Sequence, residues 1–162
     1  MATESERLIR LETRLALEEL NTNFCYFLDH GHIDKLLLLF TEEARYSHGS
    51  RLSVGRSEIA AVFSSRTEAG PRTARHMYSG LQISIHGPDH ASGTSVCMTF
   101  ACEGQAPIVP AIPYLVADFI DEYRRSSDGM WQIHSRHIER IFVAGNNPGP
   151  VGQTPANTGS ST

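Results

Sequence analysis

The chain has 162 residues, enough for one domain with a single hydrophobic core. Its formal net charge is -4 and its 14 Lys and Arg residues are spread along the sequence, which argues against nucleic acid as the main partner. The charged N-terminus lacks a secretory signal pattern, and the longest apolar run, residues 36–40, is too short to cross a bilayer. The three cysteines form no C-x-x-C pair. These features predict a cytoplasmic protein with no disulfide framework and no membrane partner.

The first half of the chain is predicted to be mainly helical. Thr3 and Glu6 form a capping-box pattern that begins a long helix, which we expect to run to about Asp29 and to stop near Gly31. Its predicted buried face repeats at three- and four-residue steps and consists of Leu8, Leu11, Leu15, Leu20, Phe24 and Phe27. Three shorter elements are predicted to follow: a helix over residues 34–40 capped by Asp34, a strand over 44–48, and a helix over 58–66 capped by Ser57.

The second half is predicted to consist of strands. The alternation and turn signals give strands over residues 75–85, 94–102, 114–124 and 130–143, with Asp128-Gly129 as a hairpin turn before the last strand. Helices followed by an antiparallel meander predict an α+β fold, with N-terminal helices packed in a curved antiparallel or mixed sheet over residues 1–144. Residues 145–162 are rich in Pro and Gly and carry no charge, so we predict a separate C-terminal tail that lies on its own domain or on a neighbouring subunit.

Four stretches in this order resemble a known family. They are FLDHGHIDKLLLLFTEEARY, VGRSEIAAVF, the histidine of TARHMYSG, and DEYRRSSDGMWQIHSRH. Over about residues 6–143 the chain resembles the SnoaL-like branch of the nuclear-transport-factor-2-like superfamily, near its scytalone dehydratase-related members. The resemblance implies a cone-shaped α+β barrel around one deep pocket. It specifies an activity much less closely, because one fold hosts many functions.

Asp29 and His76 are the main catalytic candidates. Judged from its position alone, Asp29 either caps a turn or the second helix, or is a desolvated carboxylate, and His76 is either a core histidine or a pocket residue. The resemblance implies that the two form a dyad. In such a dyad the carboxylate orients the imidazole, which then acts as a general acid or base near neutral pH. Tyr46 matches a pocket tyrosine of the family and is interpreted either as a group that polarises a substrate oxygen or as an ordinary wall residue.

The other predicted pocket residues are Phe24, Tyr26, Met98, Phe100, Arg125 and His137. Alternation along the last strand places Trp131, Ile133 and His137 on one face and Arg136 on the other, so His137 lines the pocket if Trp131 faces the core. A β-bulge would reverse this assignment and turn Arg136 inward. An inward arginine, whether Arg125, Arg136 or Arg140, would bind an anion or stabilise an enolate.

These residues predict a cofactor-free lyase or isomerase that moves protons on a small hydrophobic, oxygenated molecule. The alternative is a non-catalytic ligand-binding or assembly subunit of the same fold. The sequence shows no metal-ligand, nucleotide-binding or nucleophile-elbow motif, so neither a metal nor another cofactor is expected. Cys25 and Cys97 are interpreted as small core residues. An exposed outer face of the sheet predicts a homo-oligomer, either a dimer or a trimer.

Overall fold

The structure is a computed structural model that describes residues 3–68 and 70–144. The elements in these residues are α1 (Glu4–Asp29), α2 (Ile33–Leu38), β1 (Phe40–His48), β2 (Arg51–Val54), α3 (Gly55–Glu68), β3 (Arg72–Ile85), β4 (His90–Glu103), β5 (Leu115–Arg125) and β6 (Trp131–Val143). The predicted tail, residues 145–162, lies outside the described residues.

The strands form one six-stranded sheet in the order β2-β1-β6-β5-β4-β3. The β1–β6 pair is parallel and the other pairs are antiparallel, so the sheet is mixed. It is also open, with β2 and β3 at its edges. α1 packs on β3 and β6, α3 packs on β1 and β2, and α2 joins the two longer helices. The predicted α+β class, with N-terminal helices packed in a mixed sheet, is confirmed.

The ends of α1 lie where the sequence predicted them, but its buried face does not. The Thr3 hydroxyl accepts a hydrogen bond from Glu6 N at 3.2 Å, the Thr3 N–H donates to Glu6 Oε2 at 2.7 Å, and the helix ends at Asp29. The prediction that the first leucines are buried is wrong: Leu8, Leu11 and Leu15 are all exposed. Burial begins at Thr13 and becomes continuous only in the second half of α1, where the helix lies against the sheet.

Two predicted helix caps are wrong as well. α2 starts at Ile33, after a cap residue, His32, whose side chain makes no capping hydrogen bond. α3 starts at Gly55, where φ is +82°, and the Glu58 carboxylate accepts a hydrogen bond from Val54 N at 2.7 Å. The sequence analysis missed β2 because this strand is only four residues long.

A β-bulge in β6 decides which side chains face the core. Tyr123 of β5 pairs with Ile133 and Glu122 pairs with Ser135, which leaves His134 without a partner on β5. The alternation therefore reverses at this point, so Trp131 and Ile133 are buried as predicted and Arg136 is buried too. The prediction that His137 faces the pocket is wrong, because the extra residue turns it outward.

The core lies between the helices and the inner face of the sheet. Its largest fully buried apolar side chains are Leu17, Phe24, Leu36, Phe40, Ile59, Phe63, Tyr123 and Ile133. No helix within residues 3–68 and 70–144 combines the length and apolar character that crossing a membrane requires.

Candidate active site

A cavity of about 140 Å³ lies between α1, α3 and the inner face of the sheet. Its apolar walls include Phe24, Leu28, Val62, Leu115, Phe119 and Ile138. Its polar lining includes Tyr46, His48, Arg51, Arg66, Arg72, His76, Thr99 and Glu103. A cavity of about 150 Å³ with apolar walls accepts one benzene molecule, so this one is large enough for a single ring.

His76 and Asp29 meet beside this cavity. Asp29 is the last residue of α1, and His76 lies on β3 between two exposed residues, Arg75 and Met77. Asp29 Oδ1 is 2.6 Å from His76 Nδ1, and Asp29 Oδ2 accepts a hydrogen bond from the His76 backbone N–H at 2.7 Å. The two side chains are only 5% and 12% exposed, respectively. Both carboxylate oxygens are therefore fixed by one residue, and Asp29 caps neither α2 nor a turn.

This geometry determines the tautomer of His76. An ionised carboxylate can only accept hydrogen bonds, so Nδ1 must carry a proton and, in the neutral ring, Nε2 keeps its lone pair. Nε2 makes no hydrogen bond to any described residue, and His76 lines the cavity. His76 therefore has a basic nitrogen free of partners in the described part of the chain and lines a small cavity, which is the arrangement that a general base needs.

Tyr46 contributes a second polar group to the cavity. It lies on β1, is 3% exposed, and packs edge-on against Phe63 and Phe40 with ring centroids 5.3 and 6.2 Å apart. Its hydroxyl has no hydrogen-bond partner among the described residues, although a buried tyrosine hydroxyl usually has one. The Tyr46 hydroxyl can therefore donate to an oxygen of a bound molecule.

A second cavity of about 190 Å³ adjoins the first. Both cavities are lined by Leu28, Arg66, Gly70, Arg72 and His76, and Asp29 lines the second one. The sequence analysis missed the arginines at this junction. They lie at the two ends of the short α3–β3 connection. Their closeness in sequence could have indicated that they lie close together at one site.

His48 lines the first cavity in a strongly positive setting. Burial and the charges of Arg140 and Arg66 lower the pKa of His48 to about 4. The Arg140 Nε donates to His48 Nε2 at 3.3 Å, which only the unprotonated nitrogen can accept. His48 is therefore a neutral hydrogen-bond acceptor near pH 7.

Cys97 lines the cavity next to the buried Cys25. A hydrogen bond with Cys97 and burial raise the pKa of Cys25, so its thiol remains protonated, whereas the same hydrogen bond lowers the pKa of Cys97. A protonated thiol is a poor nucleophile. The described residues also contain no group of three or more His, Cys, Asp or Glu side chains placed to share a metal ion.

Five residues predicted to line the pocket lie elsewhere. Tyr26 is exposed and stacks on His30 at 4.1 Å, because it lies on the opposite side of α1 from Phe24. Met98 and Phe100 point to the outer face of β4, since the alternate residues Cys97 and Thr99 point inward.

The remaining two corrections concern the last hairpin and strand. Arg125 donates to Gly129 O at 2.9 Å and so belongs to the β5–β6 hairpin. His137 lies within 2.8 Å of Ser47 Oγ and 3.0 Å of Glu139 Oε2, on the outer side of the sheet. Of the predicted pocket residues beyond the dyad and Tyr46, Phe24 lines the cavity.

The bulge in β6 buries Arg136 completely behind the cavity wall. Its Nε and Nη2 donate to Asp121 Oδ1 and Oδ2 at 2.8 and 2.7 Å, and Nη2 also donates to Asn21. Burial lowers the pKa of Arg136, but the charge and hydrogen bonds of the Asp121 carboxylate, together with Tyr123 and Cys25, oppose it and the net pKa is raised. The guanidinium carbon lies 4.2 and 4.4 Å from the ring centroids of Phe24 and Phe119. Arg136 therefore supports two cavity walls without lining the cavity.

The sequence model of the SnoaL-like domain matches residues 9–137, so the chain belongs to the SnoaL-like family. A comparison with curated proteins finds no significant match. Among solved structures, a candidate scytalone dehydratase from Novosphingobium aromaticivorans is 20% identical with a TM-score of 0.74, over 90% of this chain and 97% of that chain.

Two further structures have the same fold. ActVI-ORFA from Streptomyces coelicolor is 19% identical with a TM-score of 0.70, over 79% of this chain and 97% of that chain. LinA is 18% identical with a TM-score of 0.72, over 87% of this chain and 96% of that chain. These similarities confirm the SnoaL-like, nuclear-transport-factor-2-like fold that the sequence resembled.

Proposed function

We propose that the protein is a cofactor-free lyase or isomerase that transfers protons by general acid–base catalysis. Its substrate is a small hydrophobic molecule that carries a carbonyl or hydroxyl group. His76 is the base and acid, Asp29 orients it, and Tyr46 binds the substrate oxygen. The observation that carries the proposal is the double hydrogen bond from His76 to Asp29, which leaves Nε2 free on a residue that lines the cavity.

The reaction begins when His76 Nε2 removes a proton from a carbon beside the carbonyl. The electron pair of the broken C–H bond moves toward the carbonyl oxygen, where the Tyr46 hydroxyl stabilises the developing charge. The carboxylate of Asp29 stabilises the imidazolium that forms. The imidazolium then returns the proton to another carbon, which completes an isomerisation, or to a leaving hydroxyl, which departs as water.

The cavity favours a mechanism with one base. Thr99 of β4, which pairs with His76 of β3, and Cys97 carry no imidazole. The second histidine of the cavity, His48, is a weak base because its pKa is lowered to about 4 and its Nε2 accepts from Arg140. A candidate scytalone dehydratase shares the fold, which makes water elimination a reasonable reaction class. A packed histidine and a filled cavity would have favoured the non-catalytic alternative, whereas His76 lines a cavity of about 140 Å³.

The test uses a probe that reports on the base rather than on the native substrate. 5-Nitrobenzisoxazole loses its ring C–H proton to a base and opens to a coloured phenolate in one step. We expect the wild-type protein to accelerate this reaction and His76→Ala to abolish the acceleration while the protein stays folded. His90→Ala is the matched control, because His90 also contacts a carboxylate, Glu122, at 2.6 Å but lies outside both cavities. Equal rates for wild type and His76→Ala would remove His76 from the proposed mechanism.

We also propose that the protein forms a homo-oligomer through the outer face of its sheet. Met77, Met98, Val116 and Phe142 are neighbours in register across four strands, and Met77 and Phe142 are exposed. A second copy would cover this apolar row. Light scattering should show that Phe142→Glu lowers the molecular mass in solution. Met130→Glu, at an exposed hairpin residue outside the row, should not. A monomeric wild type would contradict the proposal.

A further inference from the structure

Several cations at the cavities have no carboxylate partner among the side chains that the structure describes. Arg51, Arg66 and Arg72 line the first cavity, and among the described side chains none of them forms an ion pair. By contrast, Arg14, Arg56 and Arg136 elsewhere in the fold are each paired with a carboxylate. Glu103 is the acidic residue that lines the first cavity, so its described lining carries three arginine charges against one carboxylate.

Two of these arginines are held on aromatic faces. The guanidinium carbon of Arg66 lies 5.2 Å from the ring centroid of Phe63, and that of Arg72 lies 5.8 Å from the ring centroid of Tyr114. Such contacts restrict the side chain and leave the in-plane N–H donors of the guanidinium free for an anion. Arg66 is half-buried at the end of α3, while Arg72 is exposed at the start of β3.

The arginines stand next to the catalytic candidate. Arg66, Arg72 and His76 all line both cavities and therefore mark the place where the cavities join. The other acidic group at this junction is Asp29, and its two oxygens are already bonded to His76. Burial and, after it, the charges of Arg140 and Arg66 lower the pKa of His48, so Arg66 also acts on this ring.

We propose that the substrate is a small organic anion: a ring that carries a carboxylate, held by Arg66 and Arg72 where the two cavities meet. The ring occupies the apolar part of the first cavity, which has room for one ring, and its reacting carbon faces His76. Guanidinium groups match a carboxylate because both are planar and can form paired hydrogen bonds. The assignment of substrate class rests on the proposed function, but binding of the anion does not depend on turnover.

The binding test compares benzoate with its neutral analogue benzamide. Both have the same ring and nearly the same shape, so the difference between their dissociation constants measures the contribution of the charge. We expect benzoate to bind at least about tenfold more tightly, as hydrogen bonds between charged groups imply. Added salt should weaken the binding of benzoate and leave that of benzamide unchanged. Equal affinities, tighter binding of benzamide, or no saturable binding of benzoate would overturn the proposal.

Variants locate the site. Arg66→Gln/Arg72→Gln should remove the preference for benzoate, while Arg66→Lys/Arg72→Lys should retain part of it. Arg75→Gln is the matched control, because Arg75 lies on the same strand as Arg72 but lines neither cavity and bonds to the Ala74 carbonyl. A preference that survives in the folded double glutamine variant would place the anion elsewhere and refute the assignment.

A further variant separates this proposal from the catalytic one. His76→Asn should keep the preference for benzoate even though it cannot act as the base. If benzoate is preferred but 5-nitrobenzisoxazole is not converted, the anion site stands and the catalytic proposal fails. If the probe is converted and benzoate is not preferred, the catalytic proposal stands and the anion site fails.

Discussion

Replacing Asp29 by asparagine changes one atom of the dyad and should change which nitrogen of His76 carries the proton. The amide oxygen can still accept the His76 backbone N–H, now made to Asp29 Oδ2 at 2.7 Å. The amide NH2 then faces Nδ1, which the carboxylate contacts at 2.6 Å. Because an NH2 group only donates, Nδ1 must accept, and the proton of the neutral ring moves to Nε2.

The loss of stability caused by this substitution follows from the hydrogen bond that it removes. One hydrogen bond to a charged group contributes about 1.5–3 kcal/mol, and the Asp29 side chain is only 5% exposed. We therefore expect Asp29→Asn to lower the free energy of unfolding by about 2 kcal/mol, which corresponds to a fall of roughly 4–8 °C in Tm for a domain of this size. The wrong tautomer should also reduce kcat by about a thousandfold or more.

Nitrogen NMR measures the tautomer without any substrate. In mildly alkaline buffer, two-bond correlations of the imidazole distinguish a protonated Nδ1 from a protonated Nε2. We expect the wild type to be protonated on Nδ1 and Asp29→Asn on Nε2. The reasoning is refuted if the variant is folded and keeps its proton on Nδ1, because the carboxylate would then not determine the state of the ring.

Glu122→Gln provides the control for stability. His90 lies 2.6 Å from Glu122, the same separation as in the dyad, but these side chains are 31% and 47% exposed. An exposed pair contributes about 1 kcal/mol or less, so this substitution should have a clearly smaller effect than Asp29→Asn. An equal loss in both variants would show that burial of the dyad does not strengthen it.

Three further predictions concern other parts of the site. Tyr46→Phe should lower kcat by about a hundredfold and change stability little, as its hydroxyl has no partner among the described residues; chemical denaturation and kinetics separate the two. Asp121→Asn leaves the buried Arg136 charge without its carboxylate and should cost about 3–5 kcal/mol by urea unfolding, far more than Glu42→Gln at the exposed Arg56–Glu42 pair. The pKa of His48 is lowered from 6.5 to about 4, so the unfolded chain binds its proton first, and stability should fall as pH drops through this range. After allowance for solvent screening the loss is on the order of 1 kcal/mol, and comparison with His48→Gln at both ends of the range isolates it.

The sequence predicted the structure correctly where local signals and the family resemblance indicated the same feature. The capping box at Thr3 and the glycine after Asp29 set both ends of α1, so the position of the carboxylate followed from short-range chemistry. The hairpin at Gly129, where φ is +88°, similarly set the start of β6. The meeting of Asp29 with His76 spans 47 residues, and the resemblance, rather than any local pattern, predicted it.

The failures arise where tertiary contacts decide the outcome. The bulge at His134 follows from pairing with β5 and β1, and a strict two-residue alternation places the side chains from Ser135 to Arg140 on the wrong face. Leu8 and Leu15 have helical spacing typical of a core, but spacing alone does not show how far the sheet extends along α1. The arginines at the junction of the cavities were not predicted as site residues because an arginine next to a loop is usually solvated. Here too, tertiary contacts decide the outcome.

The buried guanidinium behind Phe24 and Phe119 limits how the cavity can be redesigned. Replacing either aromatic residue by a smaller one, to admit a larger ligand, would not simply create more apolar space. It would uncover Arg136, whose Nη1 has no partner within the described chain, and water or an anion would enter to solvate it. Engineering for bulkier apolar ligands should therefore start at Val62 or Leu115, which line the cavity and are not the rings that stack on Arg136.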